Sequence, residues 1–216
     1  MVHNLSLKNS LASQYMAEIR DAQIQKDRLR YRRNLERLGA IFSIEISKKL
    51  EWADKEVVTP LGIANCKVLK EQPVLATILR AGLPLHNGLL DFFDNGDSAF
   101  ISAFRKHDKS GDFSIKLEYA SCPSLENRVL IVSDPMIATG ASMVLTIREL
   151  FKYGKPKKIH VVTAIASTVG IEHMKKNLPE VHLWAGDIDD ELTAKAYIVP
   201  GLGDAGDLAF GEKIQD

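Results

Sequence analysis

The apolar positions of this chain change their period near residue 73. Between about residues 14 and 50, Ile19, Ile24, Leu29, Leu35, Leu38, Ile41 and Phe42 recur at helical spacing among charged positions. That pattern predicts helix with one buried stripe. Gly39 is expected to break or end a helix there, because glycine weakens helix interiors and favours C-terminal caps.

From residue 73 the pattern becomes strand, turn, helix, repeated. Val74–Leu79 reads as a strand, Arg80-Ala81-Gly82 as a turn and Leu83–Phe93 as a helix. Phe100–Phe104 is a second strand. Residues 105–124, polar and irregular around Gly111 and Asp112, read as a long mobile loop of the kind that usually has a function. Val129–Val132 is again a strand, Met143–Phe151 a helix that stops at Gly154, and Ile159–Ile165 a strand. A helix then runs through His173 to Asn177, and Val181–Ala185 is the last core strand. Uniformly apolar strands alternating with helices predict a mostly parallel α/β sheet covered on both faces. Ligands of such sheets lie beyond the carboxyl ends of the strands. The site is therefore expected where Arg80–Gly82, the loop after Phe104 and the Asp134–Ser142 turn converge.

The 216 residues suit one such domain, with an N-terminal helical arm over about 1–60 and a core over about 73–185. Lys plus Arg and Asp plus Glu number 28 each, a formal net charge of zero. That balance argues against a protein built to coat nucleic acid or an anionic membrane. The cluster Arg28, Arg30, Arg32, Arg33 and Arg37, interleaved with Asp27 and Glu36, reads as a solvated helix face. Cys66 and Cys122 form no CxxC pair, and the histidines have no metal-ligand spacing. This fits a reducing, cytoplasmic setting. No apolar run approaches the roughly 20 residues of a membrane span, and the N-terminus lacks a signal-peptide pattern.

The chemistry concentrates in Val132-Ser-Asp-Pro-Met-Ile-Ala-Thr-Gly-Ala-Ser142. Ala138, Thr139, Gly140, Ala141 and Ser142 are small, so main-chain N–H groups can converge on a phosphate, and the helix that follows adds a favourable dipole. Thr139 and Ser142 can add hydroxyls, and Ser142 equally suits a helix cap. Neither GxxxxGK[ST] nor GxGxxG is present in this turn. Asp134 either ends a strand and starts a turn with Pro135, or serves a sugar diol and its Mg2+ beside the phosphate. Arg80-Ala81-Gly82 is a second candidate anion site, by a bidentate guanidinium. Arg105, Lys106, Lys109 and Lys116 read either as solvated loop charges or as the cations of a lid. Tyr197-Ile-Val-Pro-Gly-Leu-Gly-Asp-Ala-Gly-Asp207 holds Gly201, Gly203 and Gly206, a density that exposes main-chain donors and acceptors suited to a planar heterocycle.

Together these motifs resemble the uracil phosphoribosyltransferase family, over nearly the whole chain. Asp134-Pro135-Met136-Ile137-Ala138-Thr139-Gly140-Ala141-Ser142 is similar to that family's phosphoribosyl-pyrophosphate (PRPP) signature. Tyr197–Asp207 with Phe210-Gly211 is similar to its uracil-binding hood, here about residues 186–216, and Ile78–Gly82 to its pyrophosphate loop. Leu35–Gly39 through Glu45 is similar to its N-terminal segment.

The resemblance implies a type I phosphoribosyltransferase fold and Mg2+-dependent transfer of ribose 5-phosphate from PRPP to N1 of uracil, giving UMP and diphosphate, a step of pyrimidine salvage. It implies that residues 134–142 bind PRPP, with Ala138–Ser142 on the 5-phosphate and Asp134 on the ribose hydroxyls. Arg80 and Arg105 would hold the pyrophosphate. Ile198, Gly203, Asp204 and Ala205 would form the uracil pocket, with Asp204 also reaching PRPP or its Mg2+. Asp134, Arg105 and Asp204 are the implied catalytic residues. A homodimer or higher homo-oligomer is implied, as is GTP as an activator, which some relatives have.

The chain departs from the family pattern in three places. Ala141 replaces a glycine, which suits only a position that does not need positive φ. Leu208 replaces a basic residue, and the loop reads Arg105-Lys-His-Asp-Lys109 where the family runs acidic. Two alternatives stay open at this level: a phosphoribosyltransferase for another base, and a non-catalytic sensor of PRPP. A purine enzyme calls for an aromatic stacking partner and a lysine near the hood, with no clear equivalent here. A sensor calls for an added nucleic-acid-binding element, against the neutral charge.

Overall fold

The computed structural model describes the backbone of residues 1–107 and 113–213, and the side chains of these apart from 103–107 and 113–118. The chain opens with a short strand β1 (Val2–Asn4) and two helices, α1 (Leu11–Arg20) and α2 (Arg28–Ser47). Ser10 and Asp27 cap these helices by accepting from the N–H groups of Ala12 and Arg30, satisfying donors that a helix start leaves unpaired. The break in the arm therefore falls at residues 21–27. Gly39 lies inside α2, contrary to the expectation that it ends a helix. Its role is close packing: a Cβ there would collide with the Leu85 carbonyl and lie 2.9 Å from the Gly88 Cα.

An antiparallel hairpin follows, β2 (Trp52–Thr59) and β3 (Gly62–Leu69), forming a two-stranded sheet of its own. The core then alternates as expected: β4 (Val74–Leu79), α3 (Leu83–Leu90), β5 (Asp97–His107), β6 (Phe113–Ser121), β7 (Val129–Ser133), β8 (Met136–Ile137), α4 (Ala141–Leu150), β9 (Lys158–Ser167), α5 (Thr168–Asn177) and β10 (His182–Asp189). A small hairpin, β11 (Glu191–Leu192) and β12 (Ile198–Val199), and helix α6 (Ala205–Phe210) complete it.

The main sheet runs in the order β1-β10-β9-β7-β4-β5-β6, with β8 also paired to β9, for eight strands. All its pairings are parallel except β5 with β6. Residues 105–124 are thus not one irregular loop, since most of them continue β5 and build β6, with a register shift at Ser102/Ala103. Lys109, Gly111 and Asp112 lie outside the described residues, as do the side chains of Arg105, Lys106 and Lys116.

Alternate strand residues feed two cores. Val74, Ala76, Leu130, Val132 and Val161 pack with Met143, Ile147, Ile171 and Met174 of α4 and α5. Leu75, Ile131, Val162 and Ala164 pack on the other face with Met16, Leu35, Leu38, Phe42 and Leu85 of the first three helices. Both faces are dry, which is why these strands read as continuous apolar runs. The polar junctions at their carboxyl ends are left for chemistry.

Candidate active site

At the carboxyl ends of β4 and β7 lies a cleft of about 610 Å3. Its floor is the segment between β7 and α4. The Asp134 N–H donates to the Val162 carbonyl at 3.1 Å, and the Pro135 carbonyl accepts from Ile165 at 3.0 Å. Asp134 is thereby stitched beside β9, facing the cleft. Burial raises its carboxyl from an ordinary 3.8 to about 7, against the pull of the Met136 N–H. A carboxylate in that state gains from any ligand that brings hydroxyl donors or a cation.

The turn after it closes on Gly140, which caps α4 in the left-handed conformation at φ +75°. A Cβ on Gly140 would sit 2.7 Å from the Gly170 carbonyl. Ala141 is the first residue of α4 and has helical backbone, so the position that departs from the family pattern has no need of glycine. The left-handed position is the one before it. From the far side, Ser167 fastens the loop by accepting from the Gly170 N–H at 2.9 Å and donating to the Ala138 carbonyl at 2.5 Å. Gly170 is itself obligatory, since a Cβ would lie 2.5 Å from that same carbonyl. Thr139 and Ser142 line the cleft above.

The opposite wall is the segment after β12. Gly201 and Gly203 have φ of +64° and +93°, and Gly203, Asp204 and Ala205 face the cleft. Asp204 caps α6: its Oδ1 accepts from the N–H groups of Gly206 at 2.8 Å and Asp207 at 3.0 Å, while Oδ2 lies 3.9 Å from the Lys213 ammonium. Ile198 is only 5% exposed and anchors the wall from behind without lining the cleft.

Arg80 ends the third side. Gly82 permits the tight turn before it, because a Cβ there would collide with the Thr77 hydroxyl and lie 2.9 Å from the Ser133 carbonyl. The Arg80 guanidinium turns toward the hood, bonding Asp207 at 3.0 Å and the Gly211 carbonyl at 2.5 Å. Of the residues singled out in the sequence, Asp134 to Gly140, Ser142 and Gly203 to Ala205 meet in this one cleft, and Ala141, Ile198 and Arg80 stand just behind it. The Arg105 side chain falls outside the described residues.

The sequence model of the uracil phosphoribosyltransferase family matches residues 6–212. The chain belongs to this family. It is 47% identical over 214 residues to the uracil phosphoribosyltransferase of Porphyromonas gingivalis, covering 99% of each protein. It is 36% identical over 203 residues to that of Thermococcus gammatolerans, covering 93% of this chain and 89% of the relative. A solved structure of a protein from Aquifex aeolicus superposes with a TM-score of 0.87 at 29% identity, each chain covered in full at 100%. A hypoxanthine phosphoribosyltransferase from Staphylococcus aureus shares the type I fold at a TM-score of 0.51 and 12% identity, covering 73% of this chain and 74% of its own.

Within that family frame, several supporting residues escaped the sequence reading. Arg20 of α1 donates to Asp187 at 2.7 Å, to both oxygens of Asp189 at 2.8 and 2.9 Å, and to the Gly201 carbonyl at 3.0 Å. The Gly201 N–H closes the ring on Asp189 at 2.8 Å. Arg32 of α2 holds the Ala209 carbonyl at 2.7 Å. Arg28, Arg30, Arg33 and Arg37 are exposed, as a solvated helix face requires, while Arg32 turns inward; Arg30 also bonds the buried Glu18, and with Asn34 and Gln14 holds its carboxyl down at about 2. Ser167 carried a legible signal, a hydroxyl residue ending an apolar strand just before a helix. Arg20 carried none, because its partners lie over 160 residues away.

Proposed function

We propose that this chain transfers ribose 5-phosphate from PRPP to N1 of uracil, forming UMP and diphosphate for pyrimidine salvage. The observation that carries the reading is the pairing, across one cleft, of a small-residue phosphate turn with a glycine-rich wall. Asp134 sits on the phosphate side, where a sugar between the two walls would present its hydroxyls.

In this reading the main-chain N–H groups and hydroxyls of residues 138–142 hold the 5-phosphate at the start of α4. Asp134 accepts from the ribose hydroxyls and counters the positive charge that grows on the sugar as the C1–O bond loosens. The main chain of Gly203 to Ala205 presents uracil with N1 toward C1, so that positioning supplies much of the rate. The N1–C1 bond forms, the C1–O bond to diphosphate breaks and the N1 proton departs. Arg80 and Arg105 serve the diphosphate.

Among the described residues no group of three or more His, Cys, Asp or Glu is placed to hold a metal ion. Single carboxylates at Asp134 and Asp204 fit Mg2+, which keeps waters and takes phosphate oxygens as ligands. When bound with the diphosphate, Mg2+ would neutralise leaving-group charge. The reading also carries a homo-oligomer. Val58, Leu61 and Ile63 at the β2–β3 tip are 86%, 100% and 70% exposed, more apolar surface than an isolated hairpin keeps in water. No helix among the described residues is long and apolar enough to cross a membrane; a cytoplasmic enzyme is the setting proposed.

The test is turnover with PRPP and Mg2+ on uracil, cytosine, hypoxanthine and orotate in parallel. UMP from uracil alone is expected. Turnover only with another base would overturn the specificity, and none with any base would favour a non-catalytic sensor.

A further inference from the structure

The phosphate turn contains no cation, and the cleft presents the carboxylates of Asp134, Asp204 and Asp207. A ligand carrying a phosphomonoester would meet mostly negative side chains there unless another part of the molecule supplied positive charge. Among the described residues, two other cations at the mouth are engaged: Arg80 with Asp207 at 3.0 Å, and Lys213 beside Asp204 at 3.9 Å. Lys195 also lines the cleft, and no carboxylate among the described residues pairs with it.

Lys195 belongs to no motif, but its loop is built. It rides the turn between β11 and β12, which is closed by the Thr193 N–H on the Tyr197 carbonyl at 2.8 Å and the Ala196 N–H on the Thr193 carbonyl at 2.8 Å. The Thr193 hydroxyl accepts from the Tyr197 N–H at 3.1 Å. Ala196 takes φ +61°, a conformation that non-glycine residues adopt only when their surroundings impose it. The base of this hairpin is pinned to the start of α5, where the Thr168 hydroxyl donates to the Asp190 carbonyl at 3.1 Å. The same helix start, through Ser167 and Gly170, packs against the phosphate turn. One rigid corner thus positions both the anion-binding main chain and the hairpin that bears Lys195.

We infer that Lys195 is a substrate-binding residue that supplies the side-chain cation for the phosphomonoester end of the ligand, reaching over the Thr139–Ser142 turn from the hood. The inference rests on the proposed reading of the cleft and adds a residue to it. An ammonium on a flexible stem suits this place, because it can follow the ligand in and release it afterwards.

The test is calorimetric titration of the full chain, as wild type, Lys195→Gln and Lys195→Arg, with ribose 5-phosphate and separately with inorganic diphosphate at low and high salt. Lys195→Gln should bind ribose 5-phosphate about tenfold more weakly, with a shallower salt dependence, and diphosphate as wild type does. Lys195→Arg should recover most of the loss. Thermal midpoints of all three should coincide, which a merely structural role for the lysine would not give. If Lys195→Gln matches wild type on ribose 5-phosphate, or loses both ligands equally, the assignment fails while the reading of the cleft stands. If the wild type binds neither ligand, the cleft reading falls, and this inference with it.

Discussion

The guanidinium of Arg80 lies 3.0 Å from the Asp207 carboxylate, so the turn that follows β4 is bonded to the hood helix across the mouth of the cleft. A bond in that place gives Arg80 two candidate duties, fastening the hood and meeting diphosphate. The pair is part-exposed, and pairs of that kind contribute about 0–1 kcal/mol to folding. Kinetics separates the duties. Arg80→Ala is expected to raise KM for PRPP about tenfold beyond whatever Asp207→Asn does, since only the first removes the cation. Steady-state kinetics on both variants decides it; equal losses would leave Arg80 as a fastener only.

Asp134 should impose a pH limb on the reaction. Burial raises its carboxyl to about 7, so the ionised form that the proposed role at the sugar hydroxyls needs gains population as pH rises through 7. The dependence of kcat/KM on pH is expected to rise with an apparent pKa in that region. Stability moves the other way. A folded value above the unfolded 3.8 means a contribution complete below about 4 and lost as pH climbs through 7. Asp134→Asn should therefore cost at least about a hundredfold in kcat/KM while leaving the thermal midpoint at pH 8 unchanged or higher. An Asn variant with full activity would remove Asp134 from the mechanism.

Neighbouring positions in the phosphate turn should respond oppositely to a single methyl group. Gly140→Ala forces a side chain into positive φ and against the Gly170 carbonyl, and is expected to abolish turnover and lower stability by about 1–3 kcal/mol. Ala141→Gly, at the first turn of α4, should keep activity and cost about 0.5–1 kcal/mol. Denaturant melts and one assay on each variant suffice.

Arg20 is expected to control the base, at a distance. Arg20→Ala removes the guanidinium from the Asp187 and Asp189 carboxylates and the Gly201 carbonyl, leaving the carboxylates only main-chain donors. Losing one partner of a largely buried ion pair costs about 3 kcal/mol or more in stability. Because Gly201 leads into the Gly203–Ala205 wall proposed to present uracil, KM for uracil should rise more than KM for PRPP. The reverse pattern would place Arg20 outside the base site.

What was legible in the sequence follows from physical locality. Val74–Leu79 is a strand with the bounds its apolar run predicts, and the glycines and hydroxyls of residues 134–142 announce a turn because each acts within a few residues of itself. Gly39 misled for the same reason: locally it weakens a helix, but the helix is imposed by a neighbour that only a glycine lets approach. The β5–β6 pairing was missed although Phe113, Ile115, Leu117 and Tyr119 alternate with Ser114, Lys116 and Glu118 as a strand does, because the polar run around Gly111 and Asp112 drew the whole segment into one loop reading. Arg20 and Lys195 were missed because their meaning depends wholly on what folding brings near them.

The arm offers a last point. Arg20 on α1 and Arg32 on α2 grip the hood at Gly201 and Ala209, so the segment proposed to face uracil rests on the first helices of the chain. None of the residues lining the cleft comes from those helices. Helices α1 and α2 thus act as the foundation of a proposed base-recognition surface whose cleft-lining parts all lie more than 150 residues further along the chain. Shortening the arm would be felt as a loss of selectivity for the base well before it was felt at the phosphate.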